Sequence, residues 1–302
     1  RNEVSKRHFR VDFPAISPET SGITPQGHPP PRRIGFLFLP GFALMSAAAA
    51  VEPLRAANLL SGRHLYDPVF LSAEGGWVRS SVLGAFETVP FAELAAPLAL
   101  LFVVAGGNPF APAARRILAG LARIARAGTP LGGISGGSAI LAAAGLMADR
   151  RYTIHWMHVD EMRERHPEAM IERRLFVIDR DRYTCAGGMA PIDMMHAMIA
   201  AEHGVTLAHA VSEWFIHTGI RAAEAPQRLD PVLSYDVHHP ALAAMLGLME
   251  SHIADPLTLD DLAKLSAVSA RQLERLSRAR LGASVMRFYR RLRLAKADEM
   301  LR

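Results

Sequence analysis

The sequence predicts an α/β fold, a parallel sheet covered by helices on both faces, followed by a small all-helical domain. Strand-length apolar runs alternate with longer helical stretches between residues 34 and 144, which is typical of buried parallel strands connected by helices. Two of the runs end in glycine-rich loops, at residues 106–108 and 133–137, where sheets of this kind bind ligands. Beyond residue 240 the apolar spacing is helical throughout.

Changes in residue pattern along the chain mark the individual elements. Residues 1–33 carry six prolines and little apolar periodicity, so we expect a disordered N-terminal arm. The α/β part then extends over residues 34–228. Its predicted strands are residues 34–39, 69–72, 98–104 and 130–134, and its predicted helices are residues 45–60, 113–127 and 138–144.

A second pattern follows a polar, proline-bearing linker at residues 229–240. In residues 241–302 an apolar helix over 242–253 is predicted first, and Thr258 then caps a helix over 259–265. After a short turn, Ser269 caps a helix that reaches residue 281. This spacing is that of a helix-turn-helix, although an ordinary helical hairpin has the same pattern.

The charge of the chain is concentrated near its end. Residues 271–302 contain nine Arg and one Lys against three carboxylates, a net charge of +7 in a chain of net charge +5. The remaining residues are therefore slightly acidic. A local basic patch of this kind predicts a nucleic-acid partner, while a solvated helix face is the alternative.

Composition excludes several classes of protein. No apolar run is long enough to span a membrane and the first residues lack the order of a signal peptide, so we expect a cytoplasmic protein without a membrane partner. The single cysteine, Cys185, excludes an internal disulfide framework and a cysteine-rich metal site. We expect Cys185 to be a small buried residue, and we expect no metal and no cofactor.

The second glycine-rich loop reads Gly-x-Ser-x-Gly, with Ser135 at its centre. This motif is typical of a strand-to-helix elbow that exposes a nucleophile, because small neighbours let the chain turn sharply. A glycine-rich connection with a serine helix cap is the alternative interpretation.

Seven short segments of the α/β part form a pattern of their own. They are residues 39–42, 51–58, 105–107, 133–146, 153–156, 186–193 and 226–228. Together they resemble the ThiJ/PfpI group of the amidotransferase-like superfamily, and in combination the GlxA-like subgroup of AraC-family regulators. The resemblance implies a flavodoxin-like sheet and a dimer formed through this part of the chain.

Enzymes of that superfamily carry a cysteine at the elbow, a histidine about twenty positions later and, in many, a glutamate after the first strand. Here Ser135 replaces the cysteine, and His155 lies at the expected spacing. Residues 41–47 contain no carboxylate, and Ser46 stands nearest the position of the acid. A serine needs an oriented base to become a nucleophile, so we predict a binding pocket without catalysis. The alternative is a hydrolase or amidase-like enzyme that uses Ser135 and His155.

The expected effector is a small nitrogenous metabolite, which the resemblance places in the class of arginine, carnitine or methylated glycines. We expect its anionic group to meet backbone N–H groups of the two loops and its cation to face the ring of Trp156, while a tryptophan of the core or of an interface is the alternative interpretation. Glu52 is expected only to pair with Arg55. The predicted ligand-binding residues are Gly107, Asn108, Ser135, Gly136, His155 and Trp156.

The last 64 residues are similar to the first half of an AraC-type DNA-binding domain. Arg271, Glu274 and Arg275 are the predicted base-reading residues, since arginine pairs with guanine and glutamate accepts from cytosine. Gln272 faces outward beside them, and the predicted phosphate contacts are Ser269, Arg278, Arg290 and Arg291.

Two departures from the AraC pattern qualify this prediction. Ser277 replaces a large apolar residue, and the sequence stops before a second helix-turn-helix, so we expect a truncated chain or weakened DNA binding. The expected partners are operator DNA, the effector, a second copy of the chain and RNA polymerase.

Overall fold

A computed structural model describes residues 29–94, 96–111, 113–228 and 239–301. Its main sheet has eight strands in the order β3-β4-β2-β1-β5-β6-β10-β9, and β7 pairs with β8 in a separate two-stranded sheet. The strands are β1 Arg32–Phe38, β2 Tyr66–Ser72, β3 Gly76–Arg79, β4 Ala85–Pro90, β5 Leu100–Ala105, β6 Leu131–Ser135, β7 Arg151–Tyr152, β8 Met170–Ile171, β9 Phe176–Asp179 and β10 Arg182–Cys185.

The centre of the sheet is parallel, as predicted, but both edges are antiparallel. Six strands from β4 to β10 run parallel, whereas β3 pairs antiparallel with β4 and β9 pairs antiparallel with β10. Short turns explain the edges: only two residues, 180 and 181, separate β9 from β10. A connection of that length joins antiparallel neighbours, whereas parallel neighbours require a longer crossover.

Six helices cover the two faces of this sheet. Residues of α1, α5 and α6 pack in one hydrophobic cluster, and residues of α2, α3 and α4 pack in a second cluster on the opposite face. The central strands supply alternate residues to the two clusters, which is why they read as continuous apolar runs. The helices are α1 Leu44–Ser61, α2 Arg115–Arg126, α3 Gly137–Ala143, α4 Val159–Arg165, α5 Ala190–His203 and α6 Val205–Trp214.

The first strand begins two residues earlier than predicted. Arg32 and Arg33 belong to β1, where their basic side chains pair with Glu202 and Asp67. Residues 1–28 of the predicted arm lie outside the described residues, as do residues 229–238 of the predicted linker.

Four further helices follow, with a separate hydrophobic cluster of their own. Helix α8 starts with a reciprocal capping box between Thr258 and Asp261, and the Ser269 hydroxyl accepts the N–H of Gln272 at the start of α9. The predicted bounds of these two helices are confirmed, whereas α7 begins two residues before its predicted start. The helices are α7 Pro240–Ser251, α8 Leu259–Leu265, α9 Ala270–Leu281 and α10 Val285–Leu301, together called the C-terminal helices.

Within the described ranges, no helix is both long and apolar enough to cross a membrane.

Candidate functional site

The carboxyl ends of four parallel strands define the pocket region. The loops after β1, β5, β6 and β10 all lie at this edge, because the four strands are neighbours that run in one direction. Strand order reverses between β1 and β5, which is the position where open α/β sheets bind their ligands.

Ser135 occupies a sharp elbow at the end of β6. Its φ is 58°, in the left-handed region that residues other than glycine rarely adopt. The turn also requires glycine at Gly137, where a Cβ would lie 1.9 Å from the carbonyl oxygen of Val103. The predicted elbow is therefore present, and its strained backbone is typical of a functional position.

Two of the predicted backbone donors are directed elsewhere. The N–H of Gly136 donates to the carbonyl of Ala105 at 3.2 Å, extending the pairing of β5 with β6. The N–H groups of Ser135 and Gly187 point toward the thiol of Cys185. The prediction that Gly136 offers its N–H to a ligand is therefore wrong, because the β5–β6 contact already uses that group.

The loop after β5 presents the other predicted ligand-binding residues at the surface. Gly107 and Asn108 are both exposed, and Gly107 has a φ of 60°. The Asn108 side-chain oxygen accepts the N–H of Phe110 at 2.9 Å. The side-chain amide nitrogen of Asn108 is therefore the group that can donate a hydrogen bond to a ligand.

His155 caps a short turn over residues 156–158, and this contact fixes its neutral form. Its Nδ1 accepts the N–H of Met157 at 3.3 Å, so in the neutral ring Nε2 carries the hydrogen. Burial lowers the pKa of His155 below its ordinary value, which favours this neutral form. The ring is therefore a hydrogen-bond donor through Nε2, which suits a ligand carboxylate better than the proton of a serine.

Trp156 is half-buried, and one of its faces already has a cation. The guanidinium carbon of Arg228 lies 4.7 Å from the centroid of the Trp156 ring. The centroids of the His155 and Trp156 rings are 5.3 Å apart. The sequence predicted that Trp156 would face a cation of the ligand. The structure places a cation from the chain itself at that position.

The helix after the first strand lacks the acid of an enzyme. Ser46 lies in the first turn of α1, is 1% exposed and has a hydroxyl without a hydrogen-bond partner among the described residues. Glu52 pairs with Arg55 at 2.7 Å, as predicted. Within the described residues, no hydrogen bond joins the Ser135 hydroxyl to His155. The arrangement of these two side chains therefore does not activate the serine.

Cys185 lies fully buried behind the elbow. Burial raises the pKa of its thiol to about 12, so the thiol stays protonated at neutral pH. Among the residues that the structure describes, no group of three or more His, Cys, Asp or Glu side chains is arranged to hold a metal ion.

The C-terminal helices expose a basic face along α9 and α10. Seven of the eight predicted DNA-contacting residues have exposed side chains, and the carboxylate of Glu274 is half-buried. Five of the seven are arginines on two successive helices, which forms the positive surface that DNA phosphates attract. The seven are Ser269, Arg271, Gln272, Arg275, Arg278, Arg290 and Arg291.

Glu274 and Ser277 have structural partners instead. Glu274 Oε1 accepts the N–H of Val285, the first residue of α10, at 3.2 Å. The Ser277 hydroxyl is fully buried and donates to the carbonyl of Ala283 at 2.8 Å. Both contacts hold the turn between α9 and α10, so the hydroxyl explains how a serine fits where a large apolar residue was expected.

Known proteins match both parts of this arrangement. Residues 88–201 match the DJ-1/PfpI family. The chain is 43% identical over 272 residues to the HTH-type transcriptional regulator GlxA of Rhizobium meliloti (strain 1021), covering 89% of this chain and 84% of that protein. The HTH-type transcriptional regulator CdhR of Pseudomonas aeruginosa is 42% identical over 273 residues, covering 88% and 79%. This chain is a GlxA-like regulator of the AraC family.

A solved structure agrees with this assignment. The crystal structure of an AraC family transcriptional regulator from Pseudomonas putida has a TM-score of 0.56 at 29% identity, covering 61% of the GlxA-like chain and 100% of the solved chain. The GlxA-like regulator is therefore a DNA-binding transcription regulator with a DJ-1/PfpI domain. Its relatives support the prediction that it is not an enzyme.

Two residues of this GlxA-like regulator make contacts that were not predicted from the sequence. Gln227 donates through Nε2 to Thr153 Oγ1 at 2.9 Å and to the carbonyls of Ile154 and Arg174 at 3.0 and 2.8 Å. Arg228, the next residue, covers Trp156. Their only sequence signal was residues 226–228 as part of the family pattern, because the partners are about 50 to 75 positions away.

Proposed function

We propose that residues 34–228 form a sensor domain that binds a small nitrogenous metabolite, and that occupancy of its pocket controls operator binding by residues 241–302. The ligand belongs to the class of arginine, carnitine or methylated glycines. Binding occurs without catalysis, and the protein acts as a homodimer on paired half-sites.

The state of His155 carries the proposal for the pocket. A neutral ring that accepts at Nδ1 offers its Nε2 hydrogen to an anion. Ser135 and the exposed Gly107 lie in loops at the carboxyl edge of the sheet. The aromatic face of Trp156, which already attracts a guanidinium, supplies a place for a cation. Carboxylate recognition beside cation recognition fits a small zwitterion.

The basic face supports the proposal for DNA. Arg271 and Arg275 lie one turn apart near the start of α9, where the second helix of a helix-turn-helix reads base edges. Arg290 and Arg291 lie on α10 and suit phosphate contacts.

DNA binding tests the regulatory half of the proposal. The binding of DNA from the protein's own upstream region is measured by fluorescence anisotropy at rising salt, beside a scrambled fragment of equal length. We expect Arg271→Ala to lose the preference for the upstream fragment, and Arg290→Ala to weaken both fragments equally with a smaller salt slope. Equal loss on both fragments in the two variants would contradict base reading by Arg271.

Calorimetry tests the sensor half. Arginine, carnitine and glycine betaine are titrated into the protein and into Ser135→Ala and His155→Ala. We expect one of the three to bind, with weaker binding in His155→Ala and no chemical turnover in any sample. Turnover that Ser135→Ala abolishes would instead establish an enzyme.

A further inference from the structure

Arg228 is placed where a ligand cation would bind. Its guanidinium carbon is 4.7 Å from the centroid of Trp156, within the range at which an aromatic ring attracts a cation. Arg228 itself is exposed and Trp156 is half-buried. The contact is therefore open to solvent on the side of Arg228, and a soluble cation can compete for the ring.

Gln227 anchors the chain next to this contact. Its side-chain nitrogen lies within hydrogen-bond distance of three acceptors, among them the carbonyl of Ile154, directly before His155. Its oxygen is buried without a hydrogen-bond partner in the described part of the chain. The three contacts of the amide nitrogen position residue 227, whereas the neighbouring Arg228 side chain is exposed.

The anchor also connects to the elbow. Thr153, which accepts from Gln227, has its carbonyl bound by the Ser138 hydroxyl at 2.7 Å and its N–H bound to Thr184 Oγ1 at 3.0 Å. Ser138 lies in the first turn of α3, three residues after Ser135. Hydrogen bonds through Thr153 thus join the helix that follows the elbow to Gln227, near the end of the α/β part.

We propose that Arg228 is a built-in competitor for the cation-binding face of Trp156. A cationic ligand displaces the guanidinium, and this displacement changes operator affinity. The inference rests on the proposed function and specifies its regulation. Ligand binding changes the position of the Arg228 side chain, at the last residue of the α/β part.

The strength of the contact sets the expected effect. Cation–π contacts at exposed sites favour the bound arrangement by about two- to fivefold. A ligand that needs the ring binds only to molecules in which Arg228 does not cover it. Its apparent dissociation constant is therefore raised by a factor of one plus the ratio of covered to uncovered rings. Removing the guanidinium should therefore tighten ligand binding about three- to sixfold.

The experiment compares Arg228→Ala with the wild type and with two controls. Arg163→Ala removes an exposed arginine of α4, and Arg228→Lys keeps the charge on a compact head group. Glycine betaine, carnitine and arginine are titrated into each full-length variant, and operator affinity is measured with and without the ligand that binds. We expect tighter ligand binding and a smaller effect of ligand on operator affinity in Arg228→Ala, wild-type values in Arg163→Ala and intermediate values in Arg228→Lys.

The outcomes separate this inference from the proposed function. Weaker ligand binding in Arg228→Ala would show that Arg228 holds the ligand's carboxylate and overturn the inference, as would unchanged binding. If none of the three compounds binds to the wild type, both the inference and the proposed ligand class are overturned.

A fluorescence measurement tests the competition directly. In a background of Trp77→Phe and Trp214→Phe, Trp156 is the only tryptophan, since the chain contains three. Ligand addition should protect Trp156 from a neutral quencher in Arg228→Ala, whose ring is uncovered before binding, and should change the quenching little in the wild type, where the ligand replaces the guanidinium. Equal changes in the two proteins would overturn the inference even where the ligand binds.

Discussion

Substitution of Gly187 by alanine tests the elbow geometry most directly. Gly187 follows β10, and its φ is 93°. A Cβ at this position would lie 2.7 Å from Ser135 Cβ and 2.8 Å from Ser135 Oγ. Gly188 is a matched control in the same loop, since its φ is 58° and a Cβ there would have no neighbour within 4 Å.

The expected destabilisation has two contributions. A Cβ in a left-handed backbone costs about 1–2 kcal/mol, which both Gly187→Ala and Gly188→Ala incur. Forcing an additional methyl group against packed atoms costs about 1–3 kcal/mol more, and only Gly187→Ala incurs this second cost. We therefore expect a loss of about 2–5 kcal/mol for Gly187→Ala and about 1–2 kcal/mol for Gly188→Ala.

Urea denaturation of the two variants measures these losses. The double variant Ser135→Gly with Gly187→Ala then isolates the contact, because Ser135→Gly removes the atoms that the new methyl group meets. A double-mutant cycle should give a coupling free energy of about 1–3 kcal/mol. A coupling near zero would refute the placement of the Ser135 side chain against Gly187.

Three further predictions concern titration, the turn between α9 and α10, and the cysteine. Burial lowers the pKa of His155, His158, His196 and His203. Since the unfolded chain then binds more protons near pH 6, the melting temperature should fall as the pH drops below about 6.5; a rise would contradict the burial of these rings. Glu274→Ala should cost about 1 kcal/mol in urea denaturation, because the N–H of Val285 loses its acceptor, whereas the exposed Arg275→Ala should leave stability unchanged. Cys185 should react with a thiol reagent only on unfolding, since its thiol is buried and its pKa is raised to about 12; rapid labelling of the native protein would contradict this.

The fold could be predicted from the sequence where one local signal dominated. Apolar runs placed four of the six parallel strands, β1, β2, β5 and β6, because apolar runs of strand length are typical of strands buried on both faces, whereas β4 and β10 were not predicted. Thr258 and Ser269 placed the starts of α8 and α9, since a helix cap needs only residues a few positions apart. The edge strands β3 and β9 were missed because they are only four residues long, too short for a clear periodic signal.

The candidate site could likewise be predicted from the sequence only in part. The sequence placed Ser135 in an elbow, because the glycines around it permit a sharp turn, and it placed His155 at the spacing of the family pattern. It could not show that the N–H of Gly136 donates to the carbonyl of Ala105, or that the carboxylate of Glu274 accepts the N–H of Val285. These groups have partners on other elements, so their availability depends on packing.

The sequence by itself determined the class of this protein: a doubly covered sheet with a glycine-rich elbow, joined to a basic helix-turn-helix. Local backbone preference, apolar periodicity and charge are properties of neighbouring residues, and they suffice for that much. Only the tertiary structure decided which polar groups remain free for a ligand or for DNA. It placed Arg228 over Trp156 across 72 positions of sequence, because folding brings together side chains whose separation along the chain carries no information about their distance in space.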